Sequence, residues 1–367
     1  MTPRSLLFPL TAAGALAVAV LNCSGTTEAP TAPSAAAAAA QSRVTLTPQV
    51  SGTTNRLQAI SPVNDQVAWA SGVGGTYAVT TDGGKHWKAA KVPGTKDLEF
   101  RDVQAFSANV AFLMAAGPGR ASRIYKTEDG GATWTLQFKN QDPSAFYDCF
   151  AFWDRRRGVT MSDAVNGVFP VITTSNGKTW QNIGSRLPAA QAGEAAFAAS
   201  GTCVATQGDQ NAWIATGGAA KARILATADG GQTWNAYDTP VVQGTPSSGG
   251  ISVAFRDALH GILGAGELAV TDKFTRNVAR TLNGGKNWFL VNHPTFTGSI
   301  YGLSYVTGLG RTVVATGPQG ASWTEDEGET WKELKGVANC WAVAFASPNA
   351  GWLVGTEGQI IKVTFNQ

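Results

Sequence analysis

Thr127-Glu128-Asp129-Gly130-Gly131-Ala132-Thr133-Trp134 decides the fold, because the stretch returns five more times. The copies are TTDGGKHW at 80–87, TTSNGKTW at 173–180, TADGGQTW at 227–234, TLNGGKNW at 281–288 and TEDEGETW at 324–331. Their closing tryptophans fall 43 to 54 residues apart. A period in that range marks a repeat architecture built from copies of one supersecondary unit.

Each copy follows one strand-like run and precedes another. In the second repeat, FRDVQAF (100–106), VAFLMAA (110–116), RIYK (123–126) and WTLQF (134–138) give four short strands, enough for one propeller blade. First strands recur at 57–60, 150–153, 251–255, 300–305 and 341–345, and second strands at 67–71, 158–161, 212–216, 260–264, 312–316 and 351–355. The fourth repeat is the least regular. Residues 195–200 read as its first strand, and 202–207 as an added strand or insertion. After the sixth box, residues 340–367 carry three more strands and no box. RVTLTPQV (43–50) supplies the missing outer strand, so the two chain ends complete a seventh blade and leave no open seam. The expected fold is all-β, a seven-bladed propeller over 43–367.

The repeated box reads as a turn staple. An Asp at a hairpin accepts backbone N–H bonds from the residues after it. Gly supplies the positive φ of the tight turn, Thr hydroxyls add local bonds, and Trp buries a large ring. The third position holds Asp82, Asp129, Ser175, Asp229, Asn283 and Asp326. Ser and Asn still accept a hydrogen bond but could not replace a catalytic carboxylate, so a structural role is expected at all six.

The N-terminus reads as an address. Arg4 precedes an apolar run from Leu6 to Leu21, as in an export signal spanning 1–23. Cys23 gives this segment the look of a bacterial lipoprotein signal, although Asn22 and Val20 replace the usual small residue and leucine before the cysteine. Lipidation of Cys23 and ordinary cleavage near Ala19 both remain open. Residues 24–42, rich in Ala, Thr, Ser and Pro, read as a disordered tether. The protein is thus expected outside the cytoplasm, periplasmic or membrane-anchored, touching the membrane only through a lipid anchor. Cys149, Cys203 and Cys340 lie in apolar surroundings and read as buried small hydrophobes. A Cys149–Cys203 disulfide is open to an exported protein, and spacing does not decide it.

Charged residues make up only 14% of the chain, against roughly 25% in typical soluble domains, and the net charge is +3. Nothing there calls for nucleic acid. His86, His260 and His293 fall in separate repeats, so neither a metal nor a cofactor is indicated. Gly72-Val73-Gly74-Gly75 and Gly217-Gly218 are turns within the repeat, not the strand-to-helix loop of a dinucleotide site.

The eight-residue pattern resembles the Asp-box, or BNR, repeat found in sialidases, some glycoside hydrolases, sortilin-like receptors and photosystem II assembly factors of the Ycf48/Hcf136 type. Gly351-Trp352-Leu353-Val354-Gly355 with Gly358-Gln359-Ile360, Phe100-Arg101-Asp102, the segment 122–127 (SRIYKT) and Phe150-Ala151-Phe152-Trp153-Asp154 are most similar to exported assembly-factor-like proteins. The resemblance covers 43–367. It implies a non-enzymatic scaffold in the cell envelope that holds a protein or peptide partner. No Arg-Ile-Pro of the sialidase kind is present, since Arg123-Ile124-Tyr125 leads straight into a box.

The alternative is a carbohydrate-active enzyme acting on a glycan, which would need two carboxylates 5–10 Å apart. Arg101, Asp102, Asp148, Asp163, Glu194, Arg256 and Asp257 sit at or near strand ends and form the candidate central pocket. The loops 181–193, 237–249 and 265–276 are expected to shape the binding surface, on the face away from the boxes.

Overall fold

The computed structural model describes residues 43–366. The export signal at 1–23, with Cys23, the tether at 24–42 and Gln367 lie outside the described residues. The rest forms seven antiparallel sheets, each holding the four strands of one propeller blade. The innermost strands are Leu57–Pro62, Phe100–Ala105, Phe146–Phe152, Val204–Gln207, Ser248–Phe255, Gly302–Tyr305 and Cys340–Ser347. Each packs against the innermost strand of the next blade, and the last returns to the first. Val44–Gln49 pairs with Ile360–Phe365, Val44 opposite Phe365 and Gln49 opposite Ile360, so the seventh blade is built from both chain ends. Gln49 Oε1 also accepts from Trp352 Nε1 at 3.0 Å and Trp87 Nε1 at 2.9 Å, joining blade seven to blade one.

The core lies between blades. Trp69 and Tyr77 of blade one pack on Phe100, Leu113 and Tyr125 of blade two. Trp213 and Ile224 of blade four pack on Val253 and Leu263 of blade five. A buried Trp of this kind stabilises by about 3–5 kcal/mol relative to Ala. Two second-strand Trp also reach across a blade boundary: Trp69 Nε1 donates to Ser107 O at 3.0 Å and Trp213 Nε1 to Gly284 O at 2.8 Å.

The boxes form the hairpins between third and fourth strands. Thr127 Oγ1 donates to Asp129 Oδ1 at 2.9 Å, and Asp129 accepts from Thr133 N–H at 2.8 Å and Thr133 Oγ1 at 2.6 Å. Asp82, Asp229, Asn283 and Asp326 stand in the same way. Five of the boxes dock on the turn between the first two strands of their own blades. Gly83, Gly130, Gly230 and Gly284 donate N–H to Gln66, Asn109, Gln210 and Leu259 carbonyls at 2.8–3.0 Å. That bond requires φ near +70°, which glycine adopts freely. In blade six Glu327 takes the place, at φ +59°, and bonds Arg311 O at 3.3 Å.

The third blade corrects the expected cap. Its box is one residue shorter, and Asn176 rather than Ser175 accepts from Thr174 Oγ1, Lys178 N–H and Thr179 N–H. The box opens at Thr174 rather than Thr173, so Asn176 stands two residues after the opening Thr, as Asp129 does after Thr127, and the missing residue falls between acceptor and Trp180.

The fourth blade corrects the strand assignment. Its innermost strand is Val204–Gln207, which pairs with Asn211–Ala215. Residues 195–200 form no strand; they belong to an irregular segment that crosses the central channel. Cys149 and Cys203 form a disulfide, with Cα atoms 5.9 Å apart, in place of the two buried thiols that their apolar surroundings suggest. It anchors the end of that segment to the innermost strand of blade three. Cys340 is free and buried.

Candidate functional site

Antiparallel strands alternate in direction, so the innermost strands all begin on one face and all end beside the boxes. At the start of five of them one residue is extra to the pairing. The register skips Gln58, Arg101, Asp148, Ile251 and Trp341. Such β-bulges re-aim a side chain that regular pleating would turn into the sheet. Tyr301 holds the matching place in blade six, immediately before its strand. Four of these side chains, Arg101, Asp148, Tyr301 and Trp341, line one cavity of about 400 Å³ at the mouth of the propeller. Phe146, Asp163, Pro246, Leu268 and residues 195–199 complete its walls.

The floor is the channel-crossing segment. Ala195 exchanges backbone hydrogen bonds with Gly217 at 2.9–3.0 Å. Ala196 N–H donates to Asp163 Oδ1 at 3.1 Å, and Ala198 O accepts from Arg101 Nη1 at 3.3 Å. Ser200 Oγ donates to Tyr301 O, and Thr202 Oγ1 meets Ser252 Oγ at 2.7 Å. The segment thereby touches blades two, three, four, five and six. Past Phe197, which faces the mouth, the segment is built of small residues. A Cβ on Gly201 would stand 2.4 Å from Asp102 Oδ1. A second cavity, of about 380 Å³, lies along the channel and is lined by Ser200, Gly201 and Thr202.

The charges of the mouth are unevenly placed. On one side Arg101 Nε and Nη2 hold Glu99 Oε2 at 2.9 and 2.7 Å. Glu99 lies 3.6 Å from Arg56, and Arg56 stacks on Trp341 at 4.5 Å. Trp341 meets Tyr301 edge-on at 5.0 Å. On the other side Asp148 and Asp163 line the cavity as neighbouring carboxyls, each influencing the ionisation of the other. Burial, followed by the neighbouring Asp163 charge, pushes Asp148 well above the usual carboxylate range. Burial pushes Asp163 up to about 6, against the Ala196 N–H and the neighbouring Asp148 carboxyl, which favour its charge. One proton between two neighbouring carboxyls is the arrangement that avoids two like charges side by side.

The sequence points to seven residues for a central pocket, and the structure brings three into it: Arg101, Asp148 and Asp163. Asp102 sits one step down the channel. Its Oδ2 accepts from Phe150 N–H at 2.8 Å, and burial holds its carboxyl well above the usual range. Glu194 is turned away. It is buried against Arg223, whose Nε donates to it at 2.9 Å, and it accepts from Thr216 Oγ1 at 2.6 Å.

Arg256 and Asp257 follow the end of their strand rather than its start, which puts them on the box side. There Arg256 Nε donates to Glu327 Oε1 at 2.8 Å and Asp257 Oδ1 caps the turn through Leu259 and His260 N–H. Of the long loops, 237–249 and 265–276 contribute Pro246 and Leu268. The loop 181–193 contributes no side chain to the wall; the residues that follow it do. Phe146, Phe197, Tyr301 and Trp341 were not singled out from the sequence. Aligning the innermost strands places Tyr301 and Trp341 in one column with Arg101 and Asp148.

No family model matches the chain, and no curated protein matches it in sequence. Solved structures do match in shape. A YCF48 bound to D1 peptide superposes with a TM-score of 0.62 at 18% identity, covering 88% of this chain and 97% of that one. YCF48 from Cyanidioschyzon merolae gives 0.61 at 16% identity, covering 87% and 98%. A GH74 enzyme from Niastella koreensis gives 0.58 at 15% identity, covering 86% of this chain and 53% of its own. At these identities the likeness is one of fold, a Ycf48-like seven-bladed propeller.

Proposed function

We propose that the protein is a non-enzymatic scaffold that holds an extended protein or peptide segment at the propeller mouth, as an assembly factor of the cell envelope. The observation that carries this reading is the ring of bulges. Three strands spend an extra residue to turn Arg101, Asp148 and Trp341 to the mouth, and the wall these build with Tyr301 and Phe197 is aromatic with a few polar anchors. Such a mixture suits peptide recognition. The neighbouring structure of YCF48 with a bound D1 peptide supports it by showing that a propeller of this shape takes a peptide. The Cys149–Cys203 disulfide supports an oxidising compartment outside the cytoplasm, as the N-terminal signal suggests.

The carbohydrate-active alternative draws on the GH74 propeller. Its two carboxylates would need space between them for a sugar. Asp148 and Asp163 are close enough to shift each other's ionisation, with Asp148 buried and held neutral, which favours binding over hydrolysis. The test is pull-down from envelope extract beside a glycan-hydrolysis screen. Trp341→Ala should lower capture of the partner at least tenfold while the fold, followed by circular dichroism, persists. Hydrolysis of any glycan that disappears in Asp148→Asn would overturn the scaffold.

A further inference from the structure

We infer that the mouth recognises a primary ammonium group on its peptide, seated against the Asp148–Asp163 pair. The inference rests on the peptide reading and adds the chemical class of the group recognised.

The first ground is an orphaned acceptor. Asp148 is 2% exposed, lines the cavity, and its Oδ2 has no hydrogen-bond donor. A buried acceptor left without a partner is costly, and Asp148 stands in the cavity wall beside the more open Asp163. A ligand donor would relieve that cost.

The second ground is charge. Arg101 is the cation that faces the pair, and its guanidinium is already spent on Glu99 and Ala198 O. The pair itself is kept from full ionisation by burial and, at Asp148, by the neighbouring like charge. An ammonium between them would take over the role of the proton they retain, which would leave to solvent. An incoming carboxylate would instead meet the pair with like charge.

The third ground is the wall. Tyr301, Trp341, Phe146 and Phe197 surround the cavity. Aromatic faces attract a cation and also accommodate the alkyl stem that carries it. Carboxylate floor and aromatic wall together describe an amine pocket. Both a peptide α-amine and a lysine side chain present that group.

The pH dependence follows from the groups in place. Asp148 and Asp163 come from blade three and Arg101 from blade two; Tyr301 of blade six and residues 195–199 are uncharged there. Asp163 titrates at about 6. Ammonium affinity should therefore rise as pH goes from 5 to 7, because less proton has to be displaced.

The experiment uses the full chain and a pool of random hexapeptides with a C-terminal fluorophore, followed by fluorescence anisotropy. The pool is made with free amines, with the N-terminus acetylated, with lysines acetylated, and with both blocked. Blocking both should lower affinity at least tenfold at pH 7. The single blocks report whether α-amine or lysine is the source. In Asp148→Asn and Asp163→Asn, checked for folding by thermal melting, the free pool's advantage should shrink to within twofold. Equal binding of free and doubly blocked pools by the unmodified protein would overturn the ammonium site and leave the peptide reading standing. Discrimination that survives in both variants would place the ammonium elsewhere and overturn it too. If no pool binds, the peptide reading falls and takes this inference with it.

Discussion

Asp129 hangs on the outer hairpin of blade two and accepts three hydrogen bonds from residues within four places along the chain. Asp148, on the innermost strand of blade three, has one carboxyl oxygen without any donor, and its neighbour is another carboxyl 15 residues away in sequence. The two are the same side chain at a strand end of the same architecture. Thr133, through its hydroxyl and then its N–H, holds Asp129 below the usual carboxylate range, whereas burial forces Asp148 above it. The outer edge is finished by local chemistry and has nothing left to offer a ligand. The inner edge is assembled from several blades and is left incomplete, which is what a recognition surface requires.

The largest test of this contrast is the disulfide. Cys149–Cys203 closes a 54-residue span, and removing such a link costs about 4 kcal/mol on loop-closure grounds. Cys149→Ala with Cys203→Ala should lower the denaturant midpoint accordingly and weaken peptide binding, since the floor of the cavity loses its anchor. Hydrogen exchange should quicken in residues 195–203 and stay slow at Thr133 and Thr233 N–H. Equal quickening in both places would mean that mouth and hairpins are not separable.

Next in size are two substitutions of opposite sign. Asp163 keeps in the folded state a proton that the unfolded chain releases near pH 4, so its penalty builds from about pH 4 to 6 and is full above that. Asp163→Asn should stabilise the protein at pH 7 by on the order of 1–2 kcal/mol and do nothing at pH 4. Asp229 has its carboxyl held near 2: burial is the largest single influence and pushes it up, but the bonds from Thr233, Thr227 and Gln232 together outweigh it. Its contribution is present above pH 4 and fades as pH falls toward 2. Asp229→Ala should destabilise by about 1 kcal/mol at pH 7, kept small by exposure to solvent. Denaturant titrations of both variants at pH 4 and 7 read the signs directly. Two shifts of the same sign would erase the distinction between the regions.

This contrast also explains what was legible in the sequence. Hairpins, blade count and the closure of blade seven by residues 43–50 could be read, because each depends on residues close together or on a repeated spacing. The mouth depends on register. Arg256 and Arg101 look alike as strand-end arginines, yet one follows its strand and the other sits near the start, so they face opposite ends of the channel. A bulge leaves no composition signal, and Trp341 reads as ordinary core until its strand is set beside Phe100–Ala105. The crossing segment misled for a related reason. Its alanines mimic a buried strand, but the small side chains are there to pass through a narrow channel.

The smallest effect probes the local rule itself. If the hairpin staple is set by where an acceptor falls beneath the turn, then the shortened box of blade three should depend on Asn176 and ignore Ser175. Asn176 Oδ1 takes two N–H bonds at 2.8–2.9 Å, much as Asp129 Oδ1 takes the N–H of Thr133. Asn176→Ala should therefore cost about 1 kcal/mol, in line with loss of a capping side chain. Ser175→Ala should stay within about 0.5 kcal/mol, as for an exposed position without such a role. Matched denaturant midpoints of the two variants decide it. A larger loss at Ser175 would mean that position in the repeat, rather than geometry under the turn, selects the acceptor. The outer edge would then be as dependent on its surroundings as the mouth is.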